Sequence, residues 1–294
     1  MDRPARPRLV SVVMPVLNEA ATLPGQLEAL ARQDYEGEWE IVVADNGSTD
    51  ATPDVVREWQ SRLPNLRLED ASARKGINVA RNAGAQAARG DFLVFCDADD
   101  LVTPGWLSAM ARAAGASDLV GGYLDYGPLN DATTRSWRHP FPAERLPRAL
   151  GWMPFAVGAN FGIWKDVLDD LGGWNETYAG GGDEVELCWR AQLRSYSLSQ
   201  ARDAVIAYRF RGGLRALWKQ LYRYGLAEPR LLVDFRTEGV PRKGVSGGFK
   251  AWLWILGHCH HLLLSPEKRG RWVSKTAFRW GRLRGSLKHR VLAL

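Results

Sequence analysis

Three aspartates follow directly on an apolar run in the sequence FLVFCDADD, residues 92–100. Such a run is typical of a buried strand, which would bring Asp97, Asp99 and Asp100 together at its carboxyl end. Their carboxylates repel one another, and a divalent cation relieves that repulsion most simply. Hard oxygen ligands suit Mg²⁺ or Mn²⁺ rather than zinc. The alternative is an acidic loop that caps the helix beginning near Pro104.

Two more polar segments end predicted strands, PVLNEA at residues 15–20 and ADNGSTD at residues 44–50. Open α/β sheets bind ligands at the carboxyl ends of their strands, where Glu19 and Asp45 would then lie. No GxGxxG turn follows the first strand, and this argues against NAD or FAD as a ligand. Helix capping is the competing interpretation of Asn18-Glu19, and Asn46-Gly47 is a common turn dipeptide.

The elements that must position these residues alternate between short β-branched runs and helical patterns. The front half predicts a βαβα order that continues into an alanine-rich helix, the aspartate strand and a helix after Thr103-Pro104. We therefore expect an α/β fold with a mainly parallel sheet covered by helices. The region 121–154 predicts irregular structure after one more strand. Beyond it the patterns predict a strand, a helix, another strand and a long helix over 214–235, then a linker over 236–248 and helices near 249–264 and 267–290.

Charge divides the 294-residue chain into two unequal parts. Residues 1–199 hold 19 Lys and Arg against 28 Asp and Glu, whereas residues 200–294 hold 20 against 5. An acidic body that handles a polyanion needs a cation between them, and a basic tail favours an anionic surface as partner. Three distant cysteines without a CxxC pair exclude a disulfide framework and a zinc cage, so a reducing cytoplasm is expected. No apolar stretch reaches the roughly 18 residues of a membrane span.

PVLNEA, ADNGSTD, KGINVARNAG and CDADD, in this order and spacing, resemble family 2 glycosyltransferases. The likeness covers roughly residues 9–235. It implies a Rossmann-like GT-A fold over 1–235, with a nucleotide-sugar half of about 1–125 and an acceptor half of about 126–235, followed by a helical extension over 236–294. It also implies an inverting hexosyltransferase that uses a nucleoside-diphosphate sugar.

The resemblance also assigns roles on the donor side. It implies that Glu19, Asp45 and Arg81 contact the base or ribose, that Asp97 lies near the ribose, and that Asp99 binds the metal on the diphosphate. The sequence departs from the commoner double aspartate at Asp45-Asn46. Arg81 has a second interpretation, as a solvated charge on an alanine-rich helix.

On the acceptor side, GANFGIW, LGGWNE and GGGDEVELCWR also resemble the family. Relatives usually carry Glu-Asp where this chain has Asp183-Glu184, so the position of the catalytic base falls on Glu184, with Asp183 as its neighbour. Trp174 would stack on a sugar or lie in the core. The segment LWKQLYRYG resembles an element that closes over the substrates, which implies that role for Gln220 and Arg223.

Two acidic or aromatic features have simpler explanations. Glu186 is spaced to pair with Arg190 on the same helix, and this favours a structural role. His258, His260 and His261 lie in an apolar stretch without a nearby carboxylate. A histidine band at a polar-apolar boundary therefore explains them better than a metal site.

The basic tail predicts an amphipathic helix. Helical spacing places five cations on one stripe beside a broad apolar face. The stripe contains Lys268, Arg271, Lys275, Arg279 and Arg282, and the face contains Trp272, Val273, Ala277, Trp280, Leu283, Leu287 and Val291. Such a helix favours peripheral attachment to the inner face of the cell membrane, near a lipid-linked or membrane-proximal hydroxyl acceptor. The alternatives are packing on the protein's own body or a homodimer contact. Nucleic acid is disfavoured because the aromatics are segregated from the cations.

Two other functions compete with the transfer of a sugar. A nucleotidyltransferase could use the same acidic strand end, but the glycine-rich, lysine-bearing loop expected after the first strand is missing. A non-catalytic membrane-binding or nucleic-acid-binding module would leave the acids at 97, 99 and 184 unexplained.

Overall fold

A computed structural model of the chain describes residues 3–138, 140–178, 180–241 and 246–292. Within these residues eight strands form one mixed sheet. The strands are β1 (Leu9–Val16), β2 (Glu38–Asp45), β3 (Leu66–Asp70), β4 (Phe92–Cys96), β5 (Leu101–Val102), β6 (Leu119–Asp125), β7 (Asn160–Trp164) and β8 (Leu198–Ala207). Their order across the sheet is β3-β2-β1-β4-β7-β6-β8-β5.

Ten α-helices connect or cover these strands within the described residues. They are α1 (Leu23–Ala31), α2 (Thr52–Trp59), α3 (Ile77–Ala87), α4 (Trp106–Ala114), α5 (Ala132–Ser136), α6 (Lys165–Asp170), α7 (Asp183–Leu193), α8 (Leu214–Asp234), α9 (Ser246–Gly257) and α10 (Pro266–His289). Two short 3-10 helices, Ala149–Gly151 and Cys259–Leu263, complete the regular structure.

The first four strands run parallel, as the alternating pattern predicts. β1 lies between β2 and β4, and β3 pairs with the far side of β2. Their apolar side chains are buried on both faces because helices cover the sheet. Parallel strands present their carboxyl ends at one edge, so residues 17–19, 45–46 and 97–100 meet there.

The other half of the sheet departs from the predicted parallel arrangement. β7 enters antiparallel between β4 and β6, and β5 pairs antiparallel with β8, while β6 and β8 are parallel. A strand that returns after the long, mostly irregular segment that follows β6 needs no crossover helix, so nothing in its local sequence fixes its direction. The α/β fold class is confirmed, and its sheet is mixed.

The C-terminal helices differ in part from the prediction. α10 matches the helix expected near 267–290, whereas the helix expected near 249–264 ends at Gly257 and continues as a 3-10 turn. Part of the predicted linker, 242–245, lies outside the described residues. None of the helices in the described ranges combines the length and the hydropathy that crossing a bilayer requires.

Helix α10 packs closely on α8 through glycines. A Cβ on Gly225 would lie 2.0 Å from the Phe278 carbonyl oxygen, and a Cβ on Gly281 would lie 2.0 Å from the Tyr222 carbonyl oxygen. The backbones of the two helices therefore touch. Arg282, expected on the exposed cationic stripe, is instead buried with its Nε 3.1 Å from the Glu228 carboxylate.

The predicted apolar face of α10 also needs correction. Val273 and Ala277 are buried, whereas Trp280 and Leu287 are exposed. One part of the predicted apolar face is therefore packed and the other part is exposed to solvent. The reason is that small residues such as Gly281, which an apolar pattern does not include, form the contact with α8. Packing on the protein's own body, one of the alternatives, accounts for much of this helix.

Candidate active site

A carboxylate cluster lies where β4 ends. One oxygen from each of Asp97, Asp99 and Asp100 lies within 4.8 Å of the others. Asp100 is 1% exposed, and its Oδ1 accepts a hydrogen bond from the Arg209 backbone N–H at 2.7 Å. Its Oδ2 is buried without a hydrogen-bond partner among the described residues. The strand thus delivers all three acids to one point.

The protein neutralises this cluster only in part. Burial and the Asp99 charge raise the pKa of Asp97 to about 6, against the opposing effect of Arg81. Burial and the Glu19 charge raise the pKa of Asp99, and burial with the Asp97 charge raises that of Asp100 well above its ordinary value. The ionised cluster is therefore electrostatically costly.

The cluster suits a divalent cation. All of its ligand atoms are carboxylate oxygens, as Mg²⁺ and Mn²⁺ prefer. The buried, unpartnered Oδ2 of Asp100 is an acceptor that a cation or its bound water would satisfy. The residues present therefore fit the metal that the aspartate strand predicts.

Glu19 and Asp45 lie in the loops that follow β1 and β2. Glu19 Oε2 accepts a hydrogen bond from the Thr22 hydroxyl at 2.6 Å, and Asp45 Oδ1 accepts from the Ser48 hydroxyl at 2.5 Å and its N–H at 3.0 Å. Asn18 joins the loops, since its Oδ1 accepts from the Thr49 N–H at 2.7 Å. Both carboxylates are half-buried and fixed at the sheet edge.

The hydrogen bonds of Asn46 explain why this chain has an asparagine where relatives commonly have a second aspartate. Its side-chain amide donates to the carbonyls of Ala71 at 2.6 Å and Arg74 at 2.8 Å, and its Oδ1 accepts from the Gly76 N–H at 2.8 Å. An aspartate could not donate to those carbonyls. Asn46 therefore holds the loop that leads into α3, a role that its identification as a turn residue missed.

Arg81 makes a buried ion pair that joins the two halves of the chain. Its Nη1 donates to Asp183 Oδ2 at 2.7 Å and to Asn78 Oδ1 at 3.1 Å, and its guanidinium lies 4.4 Å from the Trp174 ring centroid. Arg81 is 4% exposed. This burial rules out a solvated charge, while the base or ribose contact that the resemblance implies stays a prediction.

Asp183 and Glu184, at the start of α7, have different surroundings. Asp183 is buried against Arg81, whereas Glu184 has no arginine within a salt bridge in the described structure. Burial, together with the charge and hydrogen bond of Asp183, raises the pKa of Glu184 well above its ordinary value. The Asp183 charge also raises the pKa of Asp97, so the start of α7 is electrostatically coupled to the carboxylate cluster.

The glycine run before α7 is required by packing as well as by backbone conformation. Gly180, Gly181 and Gly182 all have positive φ. A Cβ on Gly181 would lie 2.9 Å from Tyr224, and one on Gly182 would lie 3.0 Å from Ala227. Helix α8 therefore packs directly against this glycine loop.

The closure residues on α8 border this loop. The Arg223 side chain lies against Gly180, because a Cβ there would be 3.1 Å from its Cδ. Gln220 donates to the Tyr224 hydroxyl at 3.0 Å and accepts from Arg138 at 2.8 Å. Arg223 is exposed, so its guanidinium is available beside the start of α7.

Trp174 lies in the core. It is 2% exposed, and its ring packs edge-on against Phe95 at 5.3 Å and Phe161 at 5.5 Å between centroids. Of its two predicted roles, stacking on a sugar is not available in this arrangement. Its ring instead supports the guanidinium of Arg81.

Two arginines after β8, Arg209 and Arg211, act on the carboxylate cluster. The Arg209 N–H holds Asp100, and its Nε donates to the Asp99 carbonyl at 2.8 Å. The Arg211 charge lowers the pKa of both Asp97 and Asp99, against the larger effect of burial. The pairing of β8 with β5 and β6 brings them here, and no local sequence pattern reveals that pairing.

The remaining predictions concern residues with structural contacts. Glu186 pairs with Arg190 at 2.9 Å, as its spacing predicts. His258 stacks on Trp254 with centroids 4.4 Å apart, and His260 and His261 lie next to it. These rings border the apolar helix α9.

An α/β fold with acids gathered at the carboxyl edge of its sheet is the arrangement expected of a GT-A enzyme, and comparison with known sequences shows the family. Residues 11–172 match the family described as glycosyl transferase family 2. The chain belongs to this family and is a glycosyltransferase of GT-A fold.

Named relatives are similar over different shares of their length. Glycosyltransferase AglE of Haloferax volcanii is 29% identical over 277 residues, which cover 92% of this chain and 88% of the relative. Validoxylamine A glucosyltransferase of Streptomyces hygroscopicus subsp. jinggangensis is 31% identical over 228 residues, covering 67% of this chain and 54% of that protein. The chain thus spans about half of the second relative.

Solved structures share the fold at lower identity. The mannosyltransferase PcManGT from Pyrobaculum calidifontis, in complex with GDP-Man and Mn²⁺, has a TM-score of 0.63 at 20% identity, covering 95% of this chain and 87% of its own. Glucosyl-3-phosphoglycerate synthase from Mycobacterium tuberculosis, in complex with Mn²⁺, UDP and phosphoglyceric acid, has a TM-score of 0.56 at 21% identity over 81% of each chain.

Proposed function

We propose that the chain is a metal-dependent, inverting hexosyltransferase that moves a sugar from a nucleoside-diphosphate sugar to an acceptor hydroxyl. The observation that carries this proposal is the partly neutralised carboxylate cluster after β4, which is electrostatically coupled to the start of α7, where Glu184 forms no salt bridge within the described residues. The cluster after β4 is suited to a cation, and Glu184 would supply a catalytic base.

The metal would be Mg²⁺ or Mn²⁺, held mainly by Asp99 within the cluster. Its chemistry would be that of a Lewis acid, which stabilises the negative charge of the leaving diphosphate. Arg209 keeps Asp100 in place and fixes the backbone at Asp99. Relatives of the same fold bind Mn²⁺ with a nucleotide, and this supports the assignment.

Glu184 would act as the base. Asp183 already holds the guanidinium of Arg81, so its carboxylate is committed to a buried ion pair. Glu184 would accept the proton of the acceptor hydroxyl as that oxygen bonds to the anomeric carbon and the bond to the diphosphate breaks. A raised pKa makes it a stronger base. One displacement from the opposite side inverts the anomeric centre.

The donor would bind at the edge formed by β1, β2 and β4. Glu19, Asp45 and Asp97 are the residues proposed to contact the base or ribose, within the nucleotide-sugar half of about 1–125. Arg81 is proposed to contact the base or ribose as well, and its ion pair also fixes Asp183 beside Glu184. In the acceptor half, about 126–235, Arg223 and Gln220 lie beside the loop before α7 and would close over the substrates.

The acceptor would be lipid-linked or membrane-proximal, and the protein a peripheral one on the inner face of the cell membrane. The extension over 236–294 supports this part of the proposal, because it combines exposed apolar residues with an excess of cations. Helices α9 and α10 belong to this extension.

A donor screen tests the proposal. Purified protein is incubated with UDP-, GDP- or dTDP-sugars, with Mn²⁺, with Mg²⁺ or with a chelator. We expect one donor to be hydrolysed or transferred only when a metal is present, and the NMR coupling of the transferred sugar to show the inverted anomer. Metal-independent turnover, or a product that keeps the donor's configuration, would contradict it.

A further inference from the structure

An exposed apolar surface lies on the C-terminal side of the molecule, on α9 and the turn after it. Phe249, Leu253 and Leu256 follow helical spacing on α9, and Leu263 is exposed in the 3-10 turn that follows. These four side chains are between 54% and 88% exposed. We call these four residues the α9 surface. Contiguous apolar side chains on a protein surface mark a site of interaction.

The opposite side of α9 is anchored to α10. Trp252 packs edge-on against Trp280 with centroids 5.4 Å apart, and the Trp272 Nε1–H donates to the Ile255 carbonyl at 2.9 Å. Ile255 is buried. Because its inner side is already packed, α9 holds its outer apolar row toward solvent rather than into the core.

The residues around the α9 surface are cationic. Residues 239–294 contain 12 Lys and Arg against one acid, Glu267. Lys250 is exposed next to Phe249, the Arg269 guanidinium donates to the Leu262 carbonyl at 2.9 Å, and the Lys275 ammonium lies 3.7 Å from the Trp254 ring centroid. Glu267 accepts a hydrogen bond from the Thr133 hydroxyl at 2.9 Å. Lys250, Arg269 and Lys275 thus place positive charge beside the α9 surface.

This combination favours an anionic bilayer over a second copy of the chain. Leu and Phe side chains enter the acyl region while Lys and Arg meet lipid phosphates, so one surface satisfies both groups. In a symmetric dimer through the α9 surface, each basic border would face an identical basic border. Charge complementarity thus selects the lipid headgroups.

Continuous packing joins the α9 surface to the catalytic loop. α9 contacts α10 through the tryptophans, and α10 touches α8 at Gly225 and Gly281. Tyr224, the residue before Gly225 on α8, packs against Gly181 in the loop directly before α7. A surface held against a bilayer would therefore hold the site at a fixed orientation to it.

We infer that the α9 surface, rather than the apolar face of α10, inserts into an anionic membrane and orients the active site toward an acceptor anchored there. The orientation of the active site rests on the proposed function, whereas membrane binding itself does not. Insertion is shallow, since only side chains from one helix face and one turn take part.

Vesicle co-sedimentation tests this inference on the full chain. Vesicles of phosphatidylcholine with phosphatidylglycerol are compared with phosphatidylcholine alone, at low and high salt. We expect binding only to the anionic vesicles, weakened by salt. The double variant Leu256→Glu/Leu263→Glu should lose at least about tenfold in affinity, because both side chains would leave the acyl region.

Leu287→Glu is the matched control. Leu287 is 73% exposed on α10 and outside the α9 surface, so the same substitution should leave vesicle binding unchanged. Thermal unfolding should match wild type for all variants, since the replaced side chains are exposed. Release by Leu287→Glu alone, or wild-type binding by the double variant, would overturn the inference.

Two further readouts separate the possible failures. Light scattering that shows a dimer lost in the double variant, without vesicle binding by wild type, would overturn the inference and point to a second copy as the partner. Metal-dependent donor hydrolysis without vesicles should be equal in wild type and the double variant. If wild type bound vesicles but turned over no donor, the proposed function alone would fail.

Discussion

The end of β4 and the first turn of α7 both gather acids, but the protein treats these acids differently. After β4 no arginine forms a salt bridge with Asp97, Asp99 or Asp100 within the described residues, and burial raises their pKa values. At α7, Asp183 and Glu186 each pair with an arginine. In the proposed function the acids without a salt bridge bind the ligands, whereas the acids paired with arginine stabilise the fold. Glu184 lies at α7, but like the acids after β4 it forms no salt bridge with an arginine in the described structure.

The largest expected effect follows from removing the metal ligand. Asp99→Ala should reduce metal-dependent transfer by roughly 10³-fold or more, because stabilisation of the leaving diphosphate is lost. The fold should remain intact, since the substitution relieves repulsion within the cluster. Steady-state kinetics and thermal unfolding measure the two effects.

Asp203→Ala is the control for this variant, because Asp203 is exposed on β8. Its activity should equal that of wild type. Near wild-type transfer by Asp99→Ala would show that the cluster does not hold the metal.

The buried ion pair of Asp183 should contribute more to the free energy of unfolding than an exposed ion pair does. Asp183→Asn should destabilise the protein by about 3–5 kcal/mol, because the buried Arg81 guanidinium loses its counter-ion. Urea denaturation measures the change. Asp170→Asn removes an exposed pair with Arg194 and should cost under about 1 kcal/mol. If both variants unfolded at the same urea concentration, the buried ion pair would stabilise the protein no more than the exposed one.

A smaller effect concerns pH. A general base works when ionised, and the pKa of Glu184 is raised by burial and by Asp183. Activity should therefore fall, as pH decreases, at a higher pH than an ordinary glutamate would require. The acid limb of kcat/KM against pH, measured for wild type and Glu184→Gln, checks this. A limb that persists in the variant would assign the titration to another group.

The sequence was sufficient for the local elements and for the donor edge. The apolar strand before Asp97 and the strands ending at Val16 and Asp45 form as predicted, because periodicity determines them. Parallel strands then bring their ends together without further information. For this reason the carboxylate cluster could be predicted from residues 92–100 alone.

Long-range partners could not be predicted in the same way. The counter-ion of Arg81 lies 102 residues away, and the helix that covers Gly281 is α8. Periodicity shows that α10 has an apolar face, but it does not show what covers that face. Trp174 illustrates the same limit, because its burial depends on Phe95 and Phe161 from two different strands.

The measurement that tests the account most directly compares Glu184→Gln with Asp183→Asn in both transfer rate and stability. We predict that one variant loses transfer activity and the other loses stability. Glu184→Gln should lose about 10²–10⁴-fold in transfer with unchanged donor affinity and stability, while Asp183→Asn should lose mainly stability. If Asp183→Asn lost more transfer than Glu184→Gln while remaining folded, the base would be Asp183 and the central assignment would be contradicted.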